Sequence, residues 1–279
     1  MSATLRAGRT AIALTIAGSD SSGGAGIQAD LKTFSALGVY GASVIVALTA
    51  QNTHGVQGVY PIPPAFVAEQ MKSVLSDLDV GAVKTGMLAT TDIVETVVAG
   101  LQARPLRPLV VDPVMVATSG DILLAPEAVD AVKRLLLPAA TLITPNVPEA
   151  AILLGCSPAE TDAEMIAQAK ALRAAGAHAV LLKGGHGSSG KAVDILVDDR
   201  GVTRFELERI ATPHTHGTGC TLSAAIAALL AQGLGLEQAV QRAKQYVWHA
   251  LEHGPKLGVG TGRGPVDHLF GIRGQIGGA

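Results

Sequence analysis

The stretch "AIALTIAGSDSSGGAGIQADLKTFSALG", residues 11–38, decides how the chain is read. Arg6 and Arg9 stand before its apolar opening, which loosely mimics a secretory signal. The run is short and rich in Ile and Thr, and it leads straight into a glycine-serine turn and a helix. A buried first strand over "IALTIAG" is therefore the better reading. In the helix, "AGIQADLKTFSALG", Ile27, Leu31, Phe34 and Leu37 share one face.

The same alternation continues outward. "ASVIVALTA", "AVKTG", "PLVVDPV", "TLITPN" and "HAVLLKGG" read as strands. Helical patterns lie between them, at "AFVAEQMKSVLSDL", "DIVETVVAGLQA" and "PEAVDAVKRLLL" and in two segments after "TLITPN". "VDILVDD" and "VTRFELERI" read as a hairpin turning at Asp199-Arg200-Gly201, and two helices follow at about 218–232 and 236–252. Strands apolar on both faces, alternating with helices, imply a mainly parallel sheet covered on both sides. No repeat, low-complexity tract or linker divides the chain, so one domain spanning 1–279 is expected, with its core at about 11–270 and a loose tail at "RGQIGGA".

Composition narrows the function. The 279 residues carry a net charge of −2, with 48% hydrophobic and 16% charged residues, so a folded core is expected. There is no basic block, and aromatic residues make up only 3%, which argues against nucleic acid or a membrane surface as partner. No stretch has transmembrane length. Two cysteines are too few for a disulfide scaffold and point to a reducing, cytoplasmic setting.

In parallel sheets ligands bind beyond the carboxyl ends of the strands. The polar motifs gather there: "GSDSSGGAG", "QNTHG", "TGM", "DPVM", "TPNVPE" and "KGGHG". Two signatures fail. "GHGSSGKA" (185–192) nearly matches a phosphate loop, but Ala192 replaces the magnesium-binding hydroxyl and a strand pattern follows. "GAGIQA" (24–29) resembles a dinucleotide fingerprint, but no carboxylate ends the next strand.

"HTHGTGCTLSAAIAALLAQG" (214–233) is a stronger signal. Gly217 and Gly219 let the backbone approach an anion at a helix N-terminus, Thr218 is placed to cap, and small residues let the helix pack tightly. An ordinary capped helix is the plain alternative. Glu149 in "TPNVPE" either complements its helix dipole or contacts magnesium water. Asp112 could add a second acid, and Lys183 ends an apolar strand facing either solvent or phosphate. Gln51 and Asp30 could hold a polar small molecule, and Met87 could pad an apolar wall. His54, His186, His214 and His216 have no metal-ligand spacing. Cys156, in "AAILLGC", reads as inert.

These motifs, in order over about 11–270, resemble the bacterial hydroxymethylpyrimidine and phosphohydroxymethylpyrimidine kinases of thiamine biosynthesis, in the ribokinase-like superfamily. The resemblance implies an α/β ribokinase-like fold with a small or absent lid. It also implies ATP and Mg²⁺-dependent phosphorylation of 4-amino-5-hydroxymethyl-2-methylpyrimidine, then of its monophosphate, and a homodimer. Gln51, Asp30, Met87 and Gly18 become expected substrate-binding residues. Lys183, Asn146 and Asp112 are expected at ATP phosphates, and Glu149 at the metal. Gly217, Thr218 and Gly219 would form the anion hole. Cys220 stands where related sugar kinases carry an aspartate base, and the helix N-terminus is expected to lower its pKa. With no obvious extra lid strands, closure would fall to loops such as "GVGTGRG" (258–264). A pyridoxal kinase is the nearest alternative. A hydrolase built on Cys220 and His216, and a non-catalytic nucleotide-binding regulator, lie further off.

Overall fold

The computed structural model describes residues 9–103, 107–115, 126–184 and 190–273. The apolar runs form β1 (Ile12–Gly18), β2 (Tyr40–Asn52), β3 (Gly55–Pro61), β4 (Ala82–Thr85), β5 (Leu109–Val111), β6 (Leu142–Ile143), β7 (Val180–Lys183), β8 (Lys191–Asp198) and β9 (Gly201–Glu208). The helices are α1 (Gly26–Ala36), α2 (Pro64–Asp77), α3 (Thr91–Gln102), α4 (Pro126–Ala131), α5 (Leu137–Ala139), α6 (Val147–Leu154), α7 (Asp162–Ala174), α8 (Thr218–Ala231) and α9 (Leu236–His253).

All these strands join one sheet in the order β3-β2-β1-β4-β5-β6-β7-β8-β9. Pairing is parallel from β2 through β1 and β4 to β7, and antiparallel at both margins, between β2 and β3 and from β7 to β9. The chain winds from β1 one way to β2 and later the other way from β4 to β5. Beyond β1 and β4 the strand order therefore reverses, which opens a crevice for a ligand.

Alternate residues feed two cores. Leu14, Ile16, Val44 and Val46 belong to one, and Ala13, Ala82, Val110 and Leu142 to the other. The second core is thin because its sheet side is small. Ala224, Ala225, Ala227 and Ala228 of α8 are fully buried against it. A side chain at Gly81 would lie 3.1 Å from the Ala231 carbonyl. Small residues thus bring α8 close to the sheet and fix the turn before it.

Three details depart from the sequence reading. The margin strand β3 pairs with the end of β2 from Ala47 to Asn52, a small edge hairpin where only a loop is expected. The helix over "PEAVDAVKRLLL" is interrupted by a π segment, Val132–Leu136, in which Leu137 N–H bonds to the Val132 carbonyl. Pro138 lacks the N–H that would continue the α ladder. Cys156 lies beyond the helix, which ends at a left-handed Gly155, and its side chain is exposed. The signal-like reading of residues 11–18 is displaced by β1, which is buried along nearly its whole length. The rejected phosphate loop lies partly outside the described residues, but Lys191 and Ala192 begin a strand, not a helix. His186, residues 116–121 of "DPVMVATSGD" and the tail beyond Arg273 also lie outside them.

Candidate active site

The crevice beyond β1 and β4 is the entrance of a cavity of about 770 Å³ that runs from the β1 and β2 loops, past the start of α8, to β9 and α9. That volume suits a small molecule or nucleotide.

At the first end stand Gly18, Gln51 and Met87. Gly18 donates its N–H to the Met87 carbonyl at 3.1 Å, and an added side chain would strike Met87 Cε. Met87 is buried and supplies an apolar wall. Gln51 lies next to the last residue of β2, with its Oε1 3.1 Å from Thr49 Oγ1, a hydroxyl that also donates to the Ser19 carbonyl at 2.8 Å.

Asp30 is not in this wall, contrary to expectation. It is fully buried below the cavity, where Lys84 Nζ contacts both of its oxygens at 2.9 and 2.8 Å and Thr15 Oγ1 donates at 2.6 Å. Its position on the inner face of α1 turns the carboxylate toward β1 and β4. Burial raises the Asp30 pKa despite Lys84. The Lys84 ammonium, by contrast, is held in its charged form by Asp30, Cys220 and Asp112, which outweigh burial. Lys84 itself lines the cavity. The sequence carried a signal for it, a lysine inside the apolar strand "AVKT".

In the middle, three charged groups meet. Lys183 Nζ donates to Asp112 Oδ1 at 3.0 Å, and Asp112 also accepts from Thr144 at 3.1 Å and Ser223 at 3.2 Å. Burial pushes Asp112 up, but Lys183 and Lys84 outweigh it and hold the carboxyl low. Asn146 and Glu149 form a reciprocal cap on α6: Asn146 Oδ1 accepts from Glu149 N–H, and Glu149 Oε2 from Asn146 N–H, both at 2.8 Å. The side-chain oxygen of Asn146 is thus committed to the cap, and Asn146 lines the cavity. Burial raises Glu149 to about 7; Lys183 opposes this and Asp112 adds to it.

That shift predicts a pH dependence. The folded pKa lies above the unfolded one, so the contribution of Glu149 to stability is full below about 4.5 and is lost as pH rises through about 7. The melting midpoint of the wild type should therefore fall relative to Glu149→Gln across that window. A constant difference between the two would contradict the assignment.

The turn before α8 completes the middle. Gly217 adopts φ +80°, and Gly219 faces the ion pair: a side chain there would stand 3.3 Å from Lys183 Nζ and 3.7 Å from Asp112 Oδ2. Thr218 is not the cap. It is the first helical residue, and its hydroxyl donates to the Thr215 carbonyl at 2.7 Å. The N–H groups of Gly219 and Cys220 have no protein acceptor among the described residues and remain available to an anion.

Cys220 lines the same wall. The expected lowering of its pKa does not occur. Burial pushes the thiol up to about 11, with Asp30 and Asp112 adding to the effect of burial against Lys84 and the Gly26 N–H. No hydrogen bond joins Cys220 to His216 among the described residues; His216 bonds Asp20 instead, at 2.8 Å. A raised thiol without a base argues against a cysteine nucleophile.

Toward the far end, a buried pair absent from the sequence reading lies in the wall: Lys244 Nζ and Asp194 Oδ2 at 2.6 Å, with Asp194 Oδ1 accepting from Gly184 N–H. Trp248, anchored by Nε1 to the Glu208 carbonyl at 2.8 Å, borders the cavity there. The loop "GVGTGRG" meets the β2–β3 hairpin: Arg263 N–H donates to the Thr53 carbonyl at 2.8 Å, and His54 bonds Thr261 at 2.8 Å.

A mainly parallel sheet, a glycine turn opening a helix, and lysine and carboxylates beside that turn define a kinase with the ribokinase-like fold. Solved structures agree. A Bacillus subtilis pyridoxal kinase, solved as an ADP complex, aligns with a TM-score of 0.86 at 40% identity over 93% of this chain and 98% of its own. A Clostridium difficile phosphomethylpyrimidine kinase aligns at 0.76 and 43% identity over 86% and 99%. A family model described as phosphomethylpyrimidine kinase matches residues 20–267. A hydroxymethylpyrimidine/phosphomethylpyrimidine kinase of Rhizobium meliloti is 56% identical over 93% of this chain and 97% of its own length, and one of Escherichia coli 55% over 92% and 97%. The chain belongs to the phosphomethylpyrimidine kinase family.

Proposed function

We propose that the chain, acting as one domain, transfers phosphate from ATP to 4-amino-5-hydroxymethyl-2-methylpyrimidine and then to its monophosphate, in thiamine biosynthesis. The observation that carries this reading is one continuous cavity. It has Gln51, Met87 and Gly18 at one end and Gly219, Cys220 and Lys183 in the middle. The names of the Rhizobium and Escherichia relatives support the substrate. A Staphylococcus aureus pyridoxal kinase solved with AMP-PCP and pyridoxal, 35% identical with a TM-score of 0.87, supports an adenine nucleotide as donor.

Gln51 reads the polar edge of the aminopyrimidine while Met87 covers the ring. The hydroxymethyl oxygen then points toward Cys220 and the turn. Lys183 and the free N–H groups of Gly219 and Cys220 hold the transferring phosphoryl group, whose charge is spread over its oxygens. The donor set suits Mg²⁺. It consists of two carboxylates, Asp112 and Glu149, the second raised toward neutrality by burial and by Asp112. Mg²⁺ is held by one or two carboxylates together with water and phosphate. When bound there, Mg²⁺ supplies charge neutralisation at the phosphates. Because its pKa is high, Cys220 is a protonated thiol near neutral pH and can act as base only from its minor thiolate form, which the Lys84 ammonium favours; that sulfur then takes the hydroxyl proton as the oxygen–phosphorus bond forms.

The two unpaired cysteines support a cytoplasmic location. Among the described residues no helix is long and apolar enough to cross a membrane. We further infer a homodimer formed along β3, supported by exposed Leu48, Val59 and Tyr60 on the hairpin at the sheet margin.

Gln51→Leu tests the substrate assignment. It leaves buried ring nitrogens without a partner and should cost about 1–3 kcal/mol in kcat/KM for the pyrimidine. Wild-type kcat/KM for the pyrimidine should also exceed that for pyridoxal, whose kinases share the fold. An unchanged value in Gln51→Leu, or a preference for pyridoxal, would overturn the reading.

A further inference from the structure

We propose that Asp20 and His216 form a positioning pair that locks the loop after β1 to the anion-binding turn before α8, and that the rate of phosphoryl transfer depends on this lock. The inference rests on the kinase reading above and extends it to two residues that line the same cavity and to which that reading gives no role.

Asp20 is 2% exposed, and its carboxylate gathers five donors. Oδ1 accepts from Ser22 N–H at 2.8 Å and Ser22 Oγ at 2.7 Å; Oδ2 accepts from Gly24 N–H at 3.1 Å, Ala25 N–H at 2.8 Å and His216 Nε2 at 2.8 Å. Four of these donors belong to its own loop. The fifth comes from the other end of the chain. Burial raises the Asp20 carboxyl, but the bonds from His216 and Ser22 bring it down to about 2, so it is charged at every working pH. A charge-assisted bond between two buried groups is short and directional.

The imidazole has little freedom. The backbone N–H of His216 donates to the Gly264 carbonyl at 3.2 Å, and its carbonyl accepts from Val266 N–H at 3.4 Å. Its ring lies on Gly24, where a Cβ would stand 2.4 Å from Cδ2. The next residue, Gly217, is the pivot of the turn, and a Cβ there would stand 1.9 Å from the Gly24 carbonyl oxygen. The turn is therefore seated directly on the loop backbone, with the Asp20–His216 bond beside the contact. A tilt of His216 would move Gly217, and with it the N–H groups of Gly219 and Cys220 relative to Lys183. Donors aimed at developing charge must hold their place to a fraction of an ångström. No proton transfer is assigned to the pair. Its effect is on direction.

Three variants test this with steady-state kinetics, using the pyrimidine and MgATP well below each variant's melting midpoint. Asp20→Asn keeps an acceptor but removes the charge, and His216→Leu removes the donor. His216→Gln returns an amide N–H close to the place of Nε2. Asp20→Asn and His216→Leu should lose about 10²-fold in kcat, the scale of a small misplacement, with KM for both substrates little changed. His216→Gln should recover most of the loss, a split that a merely structural role would not produce. If Asp20→Asn does not fold, the two His216 variants decide. Wild-type kcat in folded Asp20→Asn or His216→Leu overturns the proposal, as does equal kcat in His216→Gln and His216→Leu. A wild type inactive on the pyrimidine would overturn the substrate reading instead, and the same variants would then be compared with pyridoxal as acceptor or by MgATP hydrolysis.

Discussion

Replacing Cys220 with alanine should lower kcat by roughly 10²–10⁴, the usual worth of a positioned proton acceptor. Turnover should not vanish. Lys183 and the free N–H groups at the start of α8 remain, and phosphoryl transfer depends more on positioning and charge neutralisation than on covalent help. The structure sharpens the expectation. With its thiol raised to about 11, Cys220 should react slowly with alkylating reagents at neutral pH and faster as pH rises toward that value. Bound MgATP should slow the reaction further by covering the wall. Full activity in Cys220→Ala, together with alkylation that MgATP does not slow, would remove Cys220 from the mechanism.

Asp30→Asn should be the most destabilising of the substitutions considered. It strands the Lys84 ammonium, both side chains of the pair having no exposed surface. Breaking a buried ion pair from one side costs about 3–5 kcal/mol, because an uncompensated charge is left inside. Lys84→Met should cost a similar amount. The double variant, Asp30→Leu with Lys84→Met, should recover much of the loss, since the apolar pair leaves no charge to solvate. Denaturant midpoints at constant m-value measure all three. A double variant as unstable as the sum of the singles would show that the pair is not the source. Because Asp30 is one of the groups that raise the Cys220 thiol, Asp30→Asn should also bring alkylation of that thiol to lower pH.

The fold was largely legible because its signal is local. Strands such as "IALTIAG" are buried on both faces, and the helices between them carry apolar residues at helical spacing. The strand β3 was not legible. "GVQGVYP" contains two glycines and a proline, is mostly exposed, and has no alternating pattern to reveal it. The site was legible where residues cluster in sequence, as in "HGTGC" and "TPNVPE". It was opaque where partners are far apart. The Asp30–Lys84, Asp112–Lys183 and Asp20–His216 contacts each join different strand ends or helices, and no spacing rule connects them. The pKa of Cys220 fails for the same reason. The helix N-terminus is visible in the sequence, but the burial and the two aspartates that oppose it come together only in the fold. Asp30 shows the converse. It stands in a stretch from which the sequence reading expects a pyrimidine contact, yet the helical register places it beneath the cavity rather than in its wall.

Two successive phosphorylations of one pyrimidine acceptor are expected of this chain. The purified chain can be supplied with MgATP and 4-amino-5-hydroxymethyl-2-methylpyrimidine as sole acceptor, and phosphorylated products followed over time by anion-exchange chromatography. The monophosphate should rise first and then be converted to the diphosphate, with one ADP released at each step. A product series that stops at the monophosphate would contradict the second step, and folded protein that yields no phosphorylated pyrimidine would contradict the function as a whole.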